Sequence, residues 1–258
     1  MATRQALQRI KAATVAIAKW NGEPGTTRHP FSIIGSGFCI DPCGIVVTCR
    51  HVADAFMEKP ALEQIKNSTG KKLPDGGEIL APVKFIQMYA VFYKALSDTK
   101  LGVLLAHVTH ATLKTDHDLA LLKVNPDGAP FPTVEVGHPE EVDEGDEIGT
   151  CGFPLGEALH DTLGTVTSSF TKGIVSSVIP GPGIQRDLIR AFQLDLGATH
   201  GNSGGPVFQW ESGKVFGALE GGTAHLIKAA AIHHVLDSET LDGLRSAQKG
   251  SLHVPRRA

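Results

Sequence analysis

Gly201-Asn202-Ser203-Gly204-Gly205-Pro206-Val207 is the stretch on which the reading of this chain turns. It sets one serine, Ser203, among small residues on a tight turn, where glycine permits the positive φ angles that aim backbone amides. An acyl-transfer nucleophile needs that setting: a hydroxyl clear of its own backbone, and N–H groups converging where the oxygen of an attacked carbonyl would sit. If Ser203 attacks, the amides of Gly201 and Ser203 are the oxyanion donors. Glycine–serine turns are also common in surface loops, so this heptapeptide alone does not separate a nucleophile from a plain turn.

Two more segments bear on the choice. In Thr48-Cys49-Arg50-His51-Val52-Ala53, a histidine follows an apolar run at 44–47 that reads as a buried strand. His51 at a strand end suits the acceptance of a serine proton and its later delivery to a leaving amine. Most of the chain's twelve histidines are expected at the surface or hydrogen-bonded in the core; His51 is set apart by its flanks, with GSGF at 35–38 upstream and a short helical turn expected at 52–57. In HDLALLKV at 117–124, Asp118 opens a mostly apolar run. A carboxylate there is costly unless hydrogen-bonded or paired. Orienting His51 and fixing its tautomer would supply the partner; a turn residue capping the strand is the plainer alternative.

With GFPLG at 152–156, GIVSSV at 173–178 and QLDLGATHGNSGGPVF at 193–208, these segments run in the order His, Asp, Ser from about residue 13 to residue 236. In that order and with those flanks the chain resembles the trypsin/chymotrypsin clan of serine proteases, and within it the HtrA-type protease domain without its PDZ module. The resemblance implies an all-β fold of two six-stranded antiparallel barrel lobes with short terminal helices. It implies Ser203 as nucleophile, His51 as general base and acid, Asp118 as the orienting carboxylate and the Gly201 and Ser203 amides as oxyanion hole, with Asn202 holding the turn between them. Gly197, Ala198, Thr199 and His200, with the strand residues Leu219, Glu220, Gly221 and Gly222, would wall the pocket, and 219–222 would pair with the substrate backbone by strand addition. The implied activity is hydrolysis of peptide bonds in protein or peptide substrates through an acyl-enzyme, with no cofactor and no metal.

The pocket itself is less defined. Six residues before the nucleophile stands Gly197 where the trypsin pattern has aspartate, so a preference for Arg or Lys is not implied, and the small Ala198 suits small or medium apolar residues. Glu220 is expected as a solvent-facing strand charge, with attraction of a basic side chain as the alternative. Asp195 is expected as a buried loop anchor. Asn202 stands where relatives activated by cleavage carry aspartate, so no zymogen cleavage is expected; activity would depend on loop ordering by substrate or an activating partner protein, with 155–165 and 179–187 as the loops concerned. A non-catalytic scaffold is the competing reading.

Composition agrees with a β-rich domain. The 258 residues are 41% hydrophobic, and 29 glycines and 15 prolines suit many short strands joined by turns. We expect one protease domain over 1–258: an N-terminal lobe to about 127, a C-terminal lobe over about 128–231, and a C-terminal helix or helix pair at about 232–248. The lobe junction should fall at 125–132, where NPDGAPFP breaks the apolar pattern. A short helix is expected at 4–12 and the first strand at 13–20. The surplus between His51 and Asp118, about 58–112, reads as an insertion: an enlarged hairpin over the cleft, a docking surface or a plain variable loop. The net charge of −3 is spread along the chain without a basic, aromatic-interleaved cluster, which gives no support for nucleic-acid binding. No apolar run approaches a membrane span. The four cysteines, Cys39, Cys43, Cys49 and Cys151, are expected as thiols, and the start MATRQALQRIKAA lacks a secretory apolar core, so a cytoplasmic location is expected.

Overall fold

Two closed sheets packed on a shared core, rather than any one long element, organise this chain. The structure, a computed structural model, describes residues 4–20, 31–54, 88–97, 100–114, 117–125, 129–154, 167–180, 189–220 and 227–246. Among them, β1 (Thr14–Trp20), β2 (Phe31–Asp41), β3 (Ile45–Cys49), β4 (Met88–Ser97), β5 (Lys100–Lys114) and β6 (Leu119–Val124) form one closed barrel in the order β1-β2-β3-β6-β5-β4. A second closed barrel has the order β10-β11-β12-β9-β8-β7. It comprises β7 (Glu147–Gly152), β8 (Ser169–Ile179), β9 (Ala191–Asp195), β10 (Pro206–Gln209), β11 (Val215–Glu220) and β12 (Ile227–Ala231). Every pairing between these twelve strands is antiparallel; β4 closes on β1 and β7 on β10, so neither sheet leaves an edge. This is the two-barrel architecture expected.

The apolar runs that mark β3 and β6 are buried on both faces for a reason. Val46, Ala120 and Leu122 point into the first barrel with Val15, Ile17 and Phe92. Their strand neighbours Ile45, Val47, Leu119 and Leu121 point outward, against Phe208, Val215, Ala218 and Ala230 of the second barrel. A strand of period two that meets a core on each side reads as continuous apolar sequence. Lys123 interrupts the run of β6; it is buried, and its ammonium donates to the carbonyls of Cys43 and, at 3.3 Å, Val124. The second barrel is filled by Ile148, Val175, Phe192, Leu194, Phe216 and Leu219, with the Phe192 and Phe216 rings edge to face at 4.9 Å.

Helices close the ends. In α1 (Arg4–Ala13) the buried residues Ala6, Ile10 and Ala13 recur at helical spacing, Ile10 and Ala13 joining the core between the barrels, and the Thr14 hydroxyl donates to the Ile10 carbonyl as the chain turns into β1. After a single 3-10 turn at Ile232–Val235, α3 (Ser238–Ser246) starts under an Asp237 cap that accepts the Thr240 N–H at 2.8 Å. Here α2 denotes Arg50–Asp54, the short helical turn after β3. Two expectations change. The second half of the supposed insertion is not one: 88–97 and 100–114 are β4 and β5, two staves of the first barrel; 55–87 lies outside the described residues. Asp195 is not a buried anchor but an exposed residue at the end of β9.

Candidate active site

Strand register brings the first two candidates together. Cys49 at the end of β3 pairs with Leu119 at the start of β6, so the residues just beyond, Arg50 and His51 on one side and Asp118 on the other, are neighbours. The Arg50 N–H donates to the Asp118 carbonyl at 2.9 Å and the His51 N–H donates to Asp118 Oδ1 at 3.0 Å. Asp118 Oδ2 lies 2.6 Å from His51 Nδ1. A carboxylate only accepts, so Nδ1 carries the proton and, in the neutral ring, Nε2 is left as the acceptor. Asp118 has φ +47, the left-handed region that non-glycine residues seldom adopt, and the three bonds hold it there. The hydrogen bond that His51 donates to Asp118 is the main cause that raises the His51 pKa; partial burial opposes it, and the charges of Asp118, Glu220 and Asp54 add to the rise.

Ser203 comes from the second barrel on a turn seated against the first. The Asn202 N–H donates to the Thr199 carbonyl, with Gly201 at φ +95 in the third position of that turn, where a positive φ calls for glycine. Ser36 of β2 grips the turn twice: its N–H donates to the Ser203 carbonyl at 2.7 Å and its hydroxyl to the Gly201 carbonyl at 2.6 Å. The Phe153 N–H in turn donates to the Ser36 hydroxyl. The Gly204 N–H donates to the Leu219 carbonyl at 2.7 Å, which also accepts from the Cys49 thiol at 3.1 Å. A Cβ on Gly204 would stand 2.1 Å from the Ser36 carbonyl oxygen and 2.4 Å from the Thr48 hydroxyl, so only glycine lets the turn approach β2 and β3. The backbone beside Ser203 thus touches Thr48 and Cys49, the residues that lead into His51.

The pocket candidates divide. Gly197, Thr199 and His200 are exposed beside the turn, and Ala198 is half-buried against the second barrel's core. The Leu219 side chain is buried inside that barrel, so it offers the cleft only its backbone. Gly221 and Gly222 lie outside the described residues, as do 155–166 and 181–188. Glu220 departs from the solvent-facing charge expected. Alternation places it, with Ala218, on the face of β11 turned to the first barrel, and it is not exposed. Burial, with the Asp118 charge next, raises its pKa, while Lys228, its cross-strand partner, opposes the rise. Ser36 was legible only as part of GSGF; a serine between two glycines, on a strand preceding the histidine strand, is the signal that could have singled it out.

Among the described residues, Cys49 Sγ, His51 and Asp118 form the one group whose ligand atoms lie within 4.8 Å of one another, a spacing that would admit a metal. Burial keeps the Cys49 thiol well above its usual range, and each of the three groups already sits in a hydrogen bond. All four cysteines are free.

A family model described as the trypsin-like peptidase domain matches residues 35–217, a span that contains His51, Asp118 and Ser203. A probable periplasmic serine endoprotease, DegP-like, of Rickettsia prowazekii is 35% identical over 193 residues, 74% of this chain and 28% of that protein. A protein of the same name from Pseudomonas putida F1 is 39% identical over 194 residues, 75% of this chain and 30% of its own length. The chain therefore spans less than a third of the curated relatives it matches. Among solved structures, Deg5 superposes with a TM-score of 0.59 over 94% of this chain and 93% of its own, at 22% identity. The names of the bacterial relatives point to the periplasm and overturn the cytoplasmic expectation. That expectation rested on the lack of a secretory apolar core in MATRQALQRIKAA; residues 4–20 are α1 and β1, built into the fold, and carry no address either way. The chain belongs to the trypsin-like peptidase domain family, as a serine protease domain of the HtrA type.

Proposed function

We propose that this domain hydrolyses peptide bonds in protein substrates by acyl transfer through Ser203, and that it acts in the periplasm as its bacterial relatives are named to do. The observation that carries the reading is the 2.6 Å contact of Asp118 with His51 Nδ1, which leaves Nε2 of the neutral ring available as a base. In this reaction Nε2 takes the Ser203 hydroxyl proton as Oγ bonds to the carbonyl carbon of the scissile peptide. The oxygen that gains charge is held by the Gly201 and Ser203 amides. His51 then gives its proton to the leaving amine, and water, activated by the same nitrogen, releases the acyl group. Gly197, Thr199 and His200, with the backbone at 219–222, receive the substrate residue before the cut.

The test compares the wild type with Ser203→Ala, using a fluorophosphonate probe and an unfolded protein substrate. Labelling at Ser203 and cleavage that falls on the order of 10⁴-fold or more in the variant are expected. Labelling only in the presence of a cellular extract would identify a dormant protease that needs a partner. Equal, residual signals in both forms, with and without extract, would leave a non-catalytic scaffold.

A further inference from the structure

Asp118 is preceded by His117, and the His117 ring does not point idly. It stacks on the ring of His234 with centroids 4.0 Å apart and planes 4° from parallel. His234 belongs to the second barrel's side of the molecule, on the 3-10 turn Ile232–Val235 that follows β12. Its own ring is fixed twice more. Nε2 lies 2.8 Å from the Ile189 carbonyl, which can only accept, so Nε2 bears hydrogen. The neighbouring His233 ring lies 3.8 Å away, tilted by 39°. The turn beneath is anchored by Ile232 and Val235, fully buried in the core between the barrels. A flat ring on the turn just before β6 therefore rests on a flat ring whose position is set by the other barrel, one residue away from a backbone held in the left-handed region. Such a conformation persists only where its surroundings over-determine it.

We propose that His117 and His234 are positioning residues for Asp118: their cross-barrel stack fixes the start of β6, so that Asp118 meets His51 in the geometry Ser203 needs. The proposal rests on the serine-protease reading for its effect on rate, but not for its effect on geometry. The stack also explains why two aromatic imidazoles, rather than aliphatic side chains, meet here. Face-to-face rings define an orientation as well as a distance. The apolar residues beneath them already supply the burial.

The experiment uses the full chain with His234→Ala, His234→Phe, His117→Ala and His117→Phe. Spectra of ¹⁵N-histidine protein, assigned with His51→Gln, read the share of His51 held as the Nδ1–H tautomer. Steady-state kinetics on a peptide substrate separate kcat from KM. Both alanine variants are expected to loosen the His51 tautomer and to lower kcat by about tenfold or more, the usual scale for a group that orients a catalytic side chain, with KM within about twofold. Both phenylalanine variants are expected to restore both readouts, because a phenyl ring stacks in the same place. An unchanged tautomer signal in folded alanine variants would overturn the proposal. So would His234→Phe failing as badly as His234→Ala while His117→Phe is normal, since that assigns the effect to the Ile189 hydrogen bond. If the wild type shows no activity at all, the serine-protease reading falls, and the tautomer spectra still decide the role of the stack.

Discussion

Three donors meet at Asp118, and two of them belong to His51. Replacing it by asparagine keeps the shape but sets an NH₂ group or a weaker acceptor against Nδ1, which lets the ring adopt the wrong tautomer. For Asp118→Asn we expect kcat to fall on the order of 10⁴-fold with little change in KM, measured at the pH optimum. Glu220 acts on the same imidazole from the opposite strand. The bond to Asp118 is the main reason the His51 pKa lies above its ordinary 6.5, with the Glu220 charge a smaller contribution. The His51–Asp118 pair therefore stabilises the fold fully below 6.5, and that contribution is lost as pH rises through the raised value. On the proposed mechanism activity runs the other way, because only the neutral ring can take a proton. Glu220 is itself raised above 4.5, so its contribution is present below 4.5 and is lost as pH climbs through its raised value; at neutral pH its charge is held at a cost. Removing the Glu220 charge lowers the His51 pKa, so Glu220→Gln should move the acid limb of kcat/KM to lower pH. It should also raise the melting temperature at pH 7–8 while leaving it nearly unchanged at pH 4. An acid limb that stays in place would show that Glu220 does not reach His51. The pairing of Asp118 with His51 was legible in the sequence; the placement of Glu220 was not. Which face of a strand a residue occupies near its end depends on register, and Glu220 read alone is simply a charge after an apolar run.

The turn at 199–205 works as a single element because β2 and β3 of the first barrel, together with the second barrel, hold its backbone. Gly204 tests that. It combines φ +86 with a Cβ position that would lie 2.1 Å from the Ser36 carbonyl oxygen. Gly145 has the nearly equal φ +89, but a Cβ there would meet nothing within 4 Å. Gly145→Ala should cost about 1–2 kcal/mol, the backbone preference alone. Gly204→Ala adds a clash with backbone that cannot move aside, so about 3 kcal/mol or more is expected, with loss of probe labelling at Ser203. Urea unfolding of the two variants side by side separates these two costs. The turn itself was legible, because glycine, asparagine and proline in this density leave few alternatives. The strands β3 and β6 were legible as apolar runs, though not the reason for their double burial. The strands β4 and β5 fell largely within the supposed insertion at about 58–112 and so were misplaced in the architecture. Their share of the barrel is set by pairing with β1 and β6 across long sequence distances, which local periodicity does not report.

At the scale of the whole molecule, the order of histidine, aspartate and serine along the chain becomes a division of labour between two barrels. The first brings His51 and Asp118, the second brings Ser203, and the shared apolar core between them sets the distance. That order, with its flanking strands, was readable from sequence and carried the fold with it. The closeness of the lobes was not, since the residues that join them, Ile45, Val47, Leu119 and Leu121 against Phe208, Val215 and Ala218, read only as more core. The shared core makes a claim about stability. If each barrel were held mainly by its own interior, damage to one would leave the other's melting unchanged. If the interface is part of both, they unfold together. Leu121 belongs to β6 of the first barrel, yet its fully buried side chain lies in the joint core. Leu121→Ala should cost about 2–5 kcal/mol, which for a chain of this size lowers the melting temperature by roughly 5–15 °C. Trp210, which packs against the joint core from the second barrel's side, is the reporter once Trp20→Phe is introduced in both the reference and the variant. We expect its fluorescence transition to fall with the far-ultraviolet circular dichroism transition, at one common lowered temperature. A Trp210 transition that stays where it was, while part of the dichroism signal melts earlier, would mean that the barrels are separate cooperative units and that the interface only apposes them.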